Sequence, residues 1–165
     1  MGIRKMLQER RLRKLMKAHV SPEAIQGAIR DAQYLEKRLE SRHFQFVVIA
    51  IDESSVKEVP EIIRSLIGIV VEHGANLASV TSSIVLAVLG VPFQDSDSEE
   101  QRRRLVEAVM LTHRQRVKIA HGQCLGDVGL LGAGGRFTYT QIIPEYQGVL
   151  RSLIEASFGT AIEVS

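Results

Sequence analysis

The chain has 165 residues, with 21 Lys and Arg against 19 Asp and Glu, a formal net charge of +2 and a single cysteine. That length allows one domain with one proper core and an additional element. One cysteine, Cys124, excludes an internal disulfide and fits a reducing compartment, and no apolar run approaches the roughly 18 residues a membrane span needs.

The charge is unevenly placed. Residues 1–17 hold Arg4, Lys5, Arg10, Arg11, Arg13, Lys14 and Lys17 against Glu9 alone, so the basic balance originates there. Their pattern is helical. Ile3, Met6, Leu7, Leu12, Leu15 and Met16 add apolar character without aromatic anchors, which favours a solvated helical linker over contact with an anionic membrane surface. No nucleic-acid motif or aromatic platform accompanies the charge, so no nucleic-acid partner is expected. The N-terminus lacks the apolar core of a secretory signal, and the expected location is cytoplasmic.

A second helix starts at Ser21-Pro22-Glu23, where a capping serine, a proline in the first turn and an acidic residue coincide. Ile25, Ala28, Ile29, Ala32, Leu35 and Leu39 then repeat at helical spacing along one narrow stripe. Residues 1–43 therefore read as a helical linker or dimerisation segment, and 44–165 as the globular domain.

FQFVVIAI, from Phe44, is a strand too apolar to have a solvent face, hence central in its sheet. Val59–His73 is an amphipathic helix ended by Gly74. Residues 77–81 and 84–91 form a hairpin with a polar turn at Ser82 and Ser83. A helix over about 98–115 turns Leu105, Val106, Val109, Met110 and Leu111 inward. Strands near 116–125 and 136–143, a helix from about Pro144 to Phe158 and a strand Ala161–Ser165 complete the chain. The first six elements give the order of a ferredoxin-like split unit, an antiparallel sheet with helices on one face, so the fold class is α+β.

Single residues give weaker signals. Asp52 ends a strand, and the following Glu53-Ser54-Ser55 favours a capping role. Glycines 122, 126, 129, 132, 134 and 135 lack the Lys-Ser/Thr of a phosphate loop and read as hairpin turns. The five histidines show no zinc spacing, and His121 reads as a satisfied core residue. Cys124 reads as a small buried side chain, and Arg151 as a surface ion-pair residue on an amphipathic helix.

Five segments in order resemble the catalytic domain of class III adenylate/guanylate cyclases. AHVSPEAIQGAI resembles the helix preceding that domain in bacterial members, and FVVIAID its first strand with its aspartate. VLAVLGVP resembles the strand after the metal-binding turn, GDVGLLGAGGRFTYT the family's glycine-rich hairpin, and LRSLIEASFGTAIEVS the helix and strand that follow. The resemblance implies a ferredoxin-like sandwich of the cyclase type and a head-to-tail homodimer. It also implies a chain that stops before the family's C-terminal helix and hairpin.

Family chemistry uses two metal-binding aspartates, a lysine–aspartate pair that selects the base, an asparagine for the ribose and a transition-state arginine. By resemblance Asp52 falls on the first metal aspartate and Ser83 on the second. Ser79 falls on the lysine, Thr138 on its aspartate partner, Gln147 on the asparagine and Arg151 on the arginine. Asp52 and Arg151 keep the required chemistry and the other four do not. A serine hydroxyl is a weak ligand for magnesium, and losing a carboxylate from a two-metal site removes most of its charge stabilisation. Ile143-Pro144 also replaces the family's Gly-Asp. The implied protein is a degenerate cyclase domain serving as a signalling or dimerisation module, with vestigial Asp52 and Arg151. No cofactor is expected, with Mg or Mn relevant only to residual turnover. The alternatives are a partner-completed cyclase forming cyclic AMP or cyclic GMP, and a nucleotide-binding sensor.

Overall fold

The computed structural model describes residues 39–91, 97–133 and 136–164. The helices expected before residue 39, the loop 92–96 and Gly134-Gly135 lie outside the described residues.

Strand β1 (Leu39–Ile51) is the centre of the molecule. Phe44, Phe46 and Val48 alternate with Val47, Ile49 and Ile51, and all six are buried, so the strand is apolar on both faces. It pairs antiparallel with β3 (Ile84–Leu89) on one side and β4 (Val117–Ala133) on the other, as a central strand should. One boundary needs correction. Leu39–His43, placed by sequence in the helical segment, belong to β1. Strand β4 runs on to Gly129 and gives those residues backbone partners, and a continuous ladder outweighs a weak helical pattern.

Helix α1 (Val59–Glu72) carries its proline in the first turn and buries Val59, Ile62, Leu66 and Val70. Gly74 ends it at φ +71°, the left-handed conformation that helix termini favour. Strand β2 (Asn76–Val80) returns to β3 through a turn in which Thr81 Oγ1 accepts from the Ile84 N–H at 2.9 Å. Helix α2 (Ser98–His113) buries Leu105, Val106 and Val109. Leu111, expected inward, is 90 % exposed. Consecutive helical residues are about 100° apart, so Val109, Met110 and Leu111 cannot all face one core.

The glycine-rich segment is not a series of turns. Gly122, Gly126, Gly129 and Gly132 lie inside the 17-residue β4, which pairs with β5 (Arg136–Ile142) near its end. Packing explains Gly122: a Cβ there would overlap the carbonyl oxygen of Val164, on the strand β6 (Ala161–Val164) that runs parallel beside β4. Helix α3 (Tyr146–Glu155) connects β5 to β6.

The sheet order is β2-β3-β1-β4-β5, with β6 sharing the outer edge of β4 with β5. Helices α1 and α2 cover one face over Val47, Ile49, Val85, Leu89 and Ile119. Helix α3 covers the other, placing Val149 and Leu153 against the face of Phe44, Phe46 and Ala120. The α+β class and the split βαββαβ unit are both observed. No helix among the described residues is long and apolar enough to cross a membrane.

Candidate functional site

Asp52 is the first residue past β1, and the sheet brings two other segments to it. The Ile51 N–H donates to the Ser83 carbonyl at 2.8 Å, which sets the β2–β3 turn beside the strand end. The Asp52 N–H donates to the Arg116 carbonyl at 2.8 Å, just before β4 begins. The end of β1 thus lies beside Ser83 on one side and Arg116 on the other.

The Asp52 carboxylate already has partners. Oδ1 accepts from the Ser54 N–H at 2.9 Å, and Oδ2 from the Ser54 hydroxyl at 2.9 Å. This is a local turn and not the expected helix cap, since α1 begins only at Val59, after Glu58. Arg116 adds a cation, its Nη1 lying 4.0 Å from Asp52 Oδ2 and 3.2 Å from Glu58 Oε2. Its Nη2 donates to the Asp52 carbonyl at 3.3 Å. The Ser54 backbone bond, then its hydroxyl, with a smaller contribution from Arg116, hold the Asp52 carboxyl below its ordinary range against the opposing effect of burial. Asp52 is therefore held in its charged form with both carboxylate oxygens engaged by Ser54.

The other matched positions are dispersed. Ser79 is exposed on β2, at a register shift opposite Leu86. Thr138 lies on β5, opposite Leu131. Three strands separate β2 from β5, so these positions stand about 19 Å apart across the sheet. Gln147 and Arg151 are exposed on α3, one turn apart, and so form a pair on the helix surface.

A two-metal centre does not fit these residues. Divalent magnesium needs several oxygen ligands and gains most from carboxylates. Here one carboxylate is engaged by Ser54 with a guanidinium beside it, and the neighbouring position offers a neutral hydroxyl. Among the described residues, no group of three His, Cys, Asp or Glu side chains is placed to hold a metal ion.

Sequence reasoning missed Arg116. The signal was available: an antiparallel pairing of the two strands brings the residue after β1 to the residue before β4. It also expected His121 to be satisfied, whereas His121 is partly buried with no partner for Nδ1 among the described residues. Cys124 is partly rather than fully buried.

No family model matches the chain, and no curated protein matches it by sequence. Solved structures do. The guanylyl cyclase domain of the RhoGC fusion protein from the aquatic fungus Blastocladiella emersonii is 10 % identical, with a TM-score of 0.63 over 77 % of this chain and 84 % of that one. The guanylate cyclase domain of RhGC from Catenaria anguillulae, solved in complex with GTP, is 11 % identical, with a TM-score of 0.62 over 77 % and 80 %. A bacterial light-regulated adenylyl cyclase is 12 % identical, with a TM-score of 0.64 over 92 % of this chain and 50 % of that one. The Blastocladiella domain has been solved both as a monomer and as a dimer. At these identities the likeness establishes the architecture: the chain has the fold of nucleotide cyclase catalytic domains.

Proposed function

We propose that this chain, built on the cyclase fold, is a catalytically inactive signalling or dimerisation module. The observation that carries the reading is the state of Asp52, whose carboxylate is closed onto Ser54 beside Arg116; Ser83, by resemblance alone, falls on the second carboxylate's position. Activating a ribose hydroxyl for attack on an α-phosphate requires concentrated positive charge near both reacting oxygens. With one carboxylate of two, and that one hydrogen-bonded to Ser54, the residues beside the β2–β3 turn offer few ligands for the metal ions that would supply that charge.

A homodimer is part of the proposal. The helix α3 end presents Ile154, 76 % exposed, and beyond it Phe158, 44 % exposed. Lys118 supports this end by donating to the carbonyls of Ile154 and Ala156 at 3.1 Å each, with its ammonium 5.1 Å from the Phe158 ring centre. Exposed apolar groups on an ordered helix end favour a covering partner.

A nucleotide-binding sensor is the second reading, favoured by the exposed Gln147–Arg151 pair, which can meet a ribose and a phosphate without any metal. Cyclic-nucleotide formation from ATP or GTP with manganese tests the first reading directly. Thermal unfolding with and without nucleotide separates the sensor, since a ligand that binds only the folded state raises stability. Light scattering over a range of concentrations tests the dimer, and a strict monomer at high concentration contradicts that part.

A further inference from the structure

The outer edge of β4 is interrupted. Strand β6 pairs with it from Ile119 to Gly122, and β5 pairs with it from Asp127 to Ala133. Between them, Gln123, Cys124, Leu125 and Gly126 have no strand on that side among the described residues, while their other side is laddered to β1. The Ile119 N–H donates to the Thr160 carbonyl at 2.9 Å, and the Val117 carbonyl accepts from the Gly159 N–H at 2.8 Å. Odd-numbered residues of β4 therefore turn their backbone groups to this edge. The β1–β4 register has no shift, so the alternation of a regular strand carries that direction on to Leu125. The Leu125 N–H and carbonyl face a gap of about 17 Å between Gly122 and Asp127.

The gap is open on both faces of the sheet. On the α3 face, Phe46, Ile143, Pro144 and Val149 border a cavity of about 260 Å³. On the α2 face, Gln45, Glu99, Arg102 and Glu163 border one of about 460 Å³. Gln123, Cys124, Leu125 and Val164 border both, so the two cavities flank the interrupted edge. Their characters differ. The α3 side is apolar, with the exposed Glu145 at its border. On the α2 side the Arg102 side chain is only 4 % exposed, against 64 % for Glu163 and 57 % for Glu99. Arg103, which pairs with Glu99 on the surface of α2, does not border the cavity. The accessible charge bordering the gap is therefore acidic.

We propose that this gap binds a short extended segment of a partner protein, an apolar residue flanked by basic ones. One ligand class meets all three features, because a strand completes an edge with its backbone and sends successive side chains to opposite faces. The segment's backbone pairs with Leu125. Its apolar side chain, opposite Cys124, enters the α3-side cavity, and its basic neighbours, opposite Gln123 and Leu125, meet Glu99 and Glu163. Strands β5 and β6 close the edge at both ends and limit the paired length to about four residues. Gln45, which stands opposite Gln123, is seven residues from Asp52, about 23 Å along β1. The site is therefore independent of the Asp52 turn and of whether that turn is active.

The test is titration of the isotopically labelled full chain with the peptide acetyl-Thr-Lys-Val-Lys-Thr-amide, followed by amide NMR shifts at matched ionic strength. Two control peptides separate the contributions: one with Glu for both Lys, and one N-methylated at the three central amides, which keeps the side chains and removes the donors. The basic peptide is expected to give saturable shifts at Gln123, Cys124, Leu125 and Gly126, and the controls none. Glu99 and Glu145 are exposed, so Glu99→Gln with Glu145→Gln keeps the fold. That variant is expected to bind the basic peptide about threefold more weakly. Absence of saturable shifts, equal binding of either control, or unchanged affinity in the variant overturns the proposal. Concentration-dependent shifts at the same four residues in the chain alone also overturn it, since a second copy would then be the occupant.

Discussion

Asp52 and Arg116 are tied together in both directions. The Asp52 N–H donates to the Arg116 carbonyl at 2.8 Å, and Arg116 Nη2 donates back to the Asp52 carbonyl at 3.3 Å. The register dictates this meeting: Ile51 of β1 stands opposite Val117 of β4, so the residues one step beyond come together. The same guanidinium reaches Glu58, just before α1. One arginine thus joins the end of β1, the start of α1 and the start of β4.

If Arg116 is what closes the site to cations, restoring the missing carboxylate alone will be insufficient. Ser83→Asp is expected to leave manganese binding weak, and Ser83→Asp with Arg116→Gln to bind at least about tenfold tighter. Water-proton relaxation by manganese reads both. Equal binding in the two variants would show that the guanidinium has no such role.

Gly122 is needed for the approach of β6. In Gly122→Ala the methyl meets the Val164 carbonyl, which is backbone and cannot swing aside. The expected result is release of β6, with rapid amide exchange at Ile162 and Val164 and a loss of about 1–3 kcal/mol in urea unfolding. Unchanged protection of β6 would mean that the strands separate without consequence.

The two leucines of the helical faces should behave oppositely. Leu66→Ala removes a fully buried side chain between α1 and the sheet and is expected to cost about 2–5 kcal/mol. Leu111→Ala, on the exposed face of α2, should stay within about 0.5 kcal/mol. Denaturant midpoints at constant slope compare them, and similar losses would place Leu111 in an interface or core.

Cys124 offers a pH-dependent readout. Burial disfavours the thiolate and pushes its pKa up to about 11. The folded state therefore holds this proton more tightly than the unfolded chain. Its contribution to stability is present below the free-thiol value, about 8.5, and is lost as pH rises through the folded value. Iodoacetamide alkylation of the native protein should still be accelerating at about pH 10, beyond the range of an ordinary thiol. A plateau near the free-thiol value would show that the thiol is solvated.

Much of the fold was legible because β1 and α1 are strongly patterned. An apolar strand without a solvent face has to be central, and a helix with Ile62, Leu66 and Val70 on one side has to lie on the sheet. Leu39–His43 and the glycines of β4 were misread for one shared reason. Strand pairing is non-local, so the extent of β1 and β4 depends on each other and on β6 rather than on local composition. Of the candidate site, the meeting of the β1 end with the Ser82-Ser83 turn was legible, because the hairpin beside a central strand brings them together. Arg116 and the buried Arg102 were not, because charged residues look alike in sequence until the register and the neighbouring helix place them.

The most direct measurement is cyclic-nucleotide formation by the purified chain, with ATP and with GTP in the presence of manganese. The account predicts no product above a protein-free control. Turnover that disappears in Asp52→Ala would contradict it, because it would show that this carboxylate leaves Ser54 and Arg116 to serve a working centre.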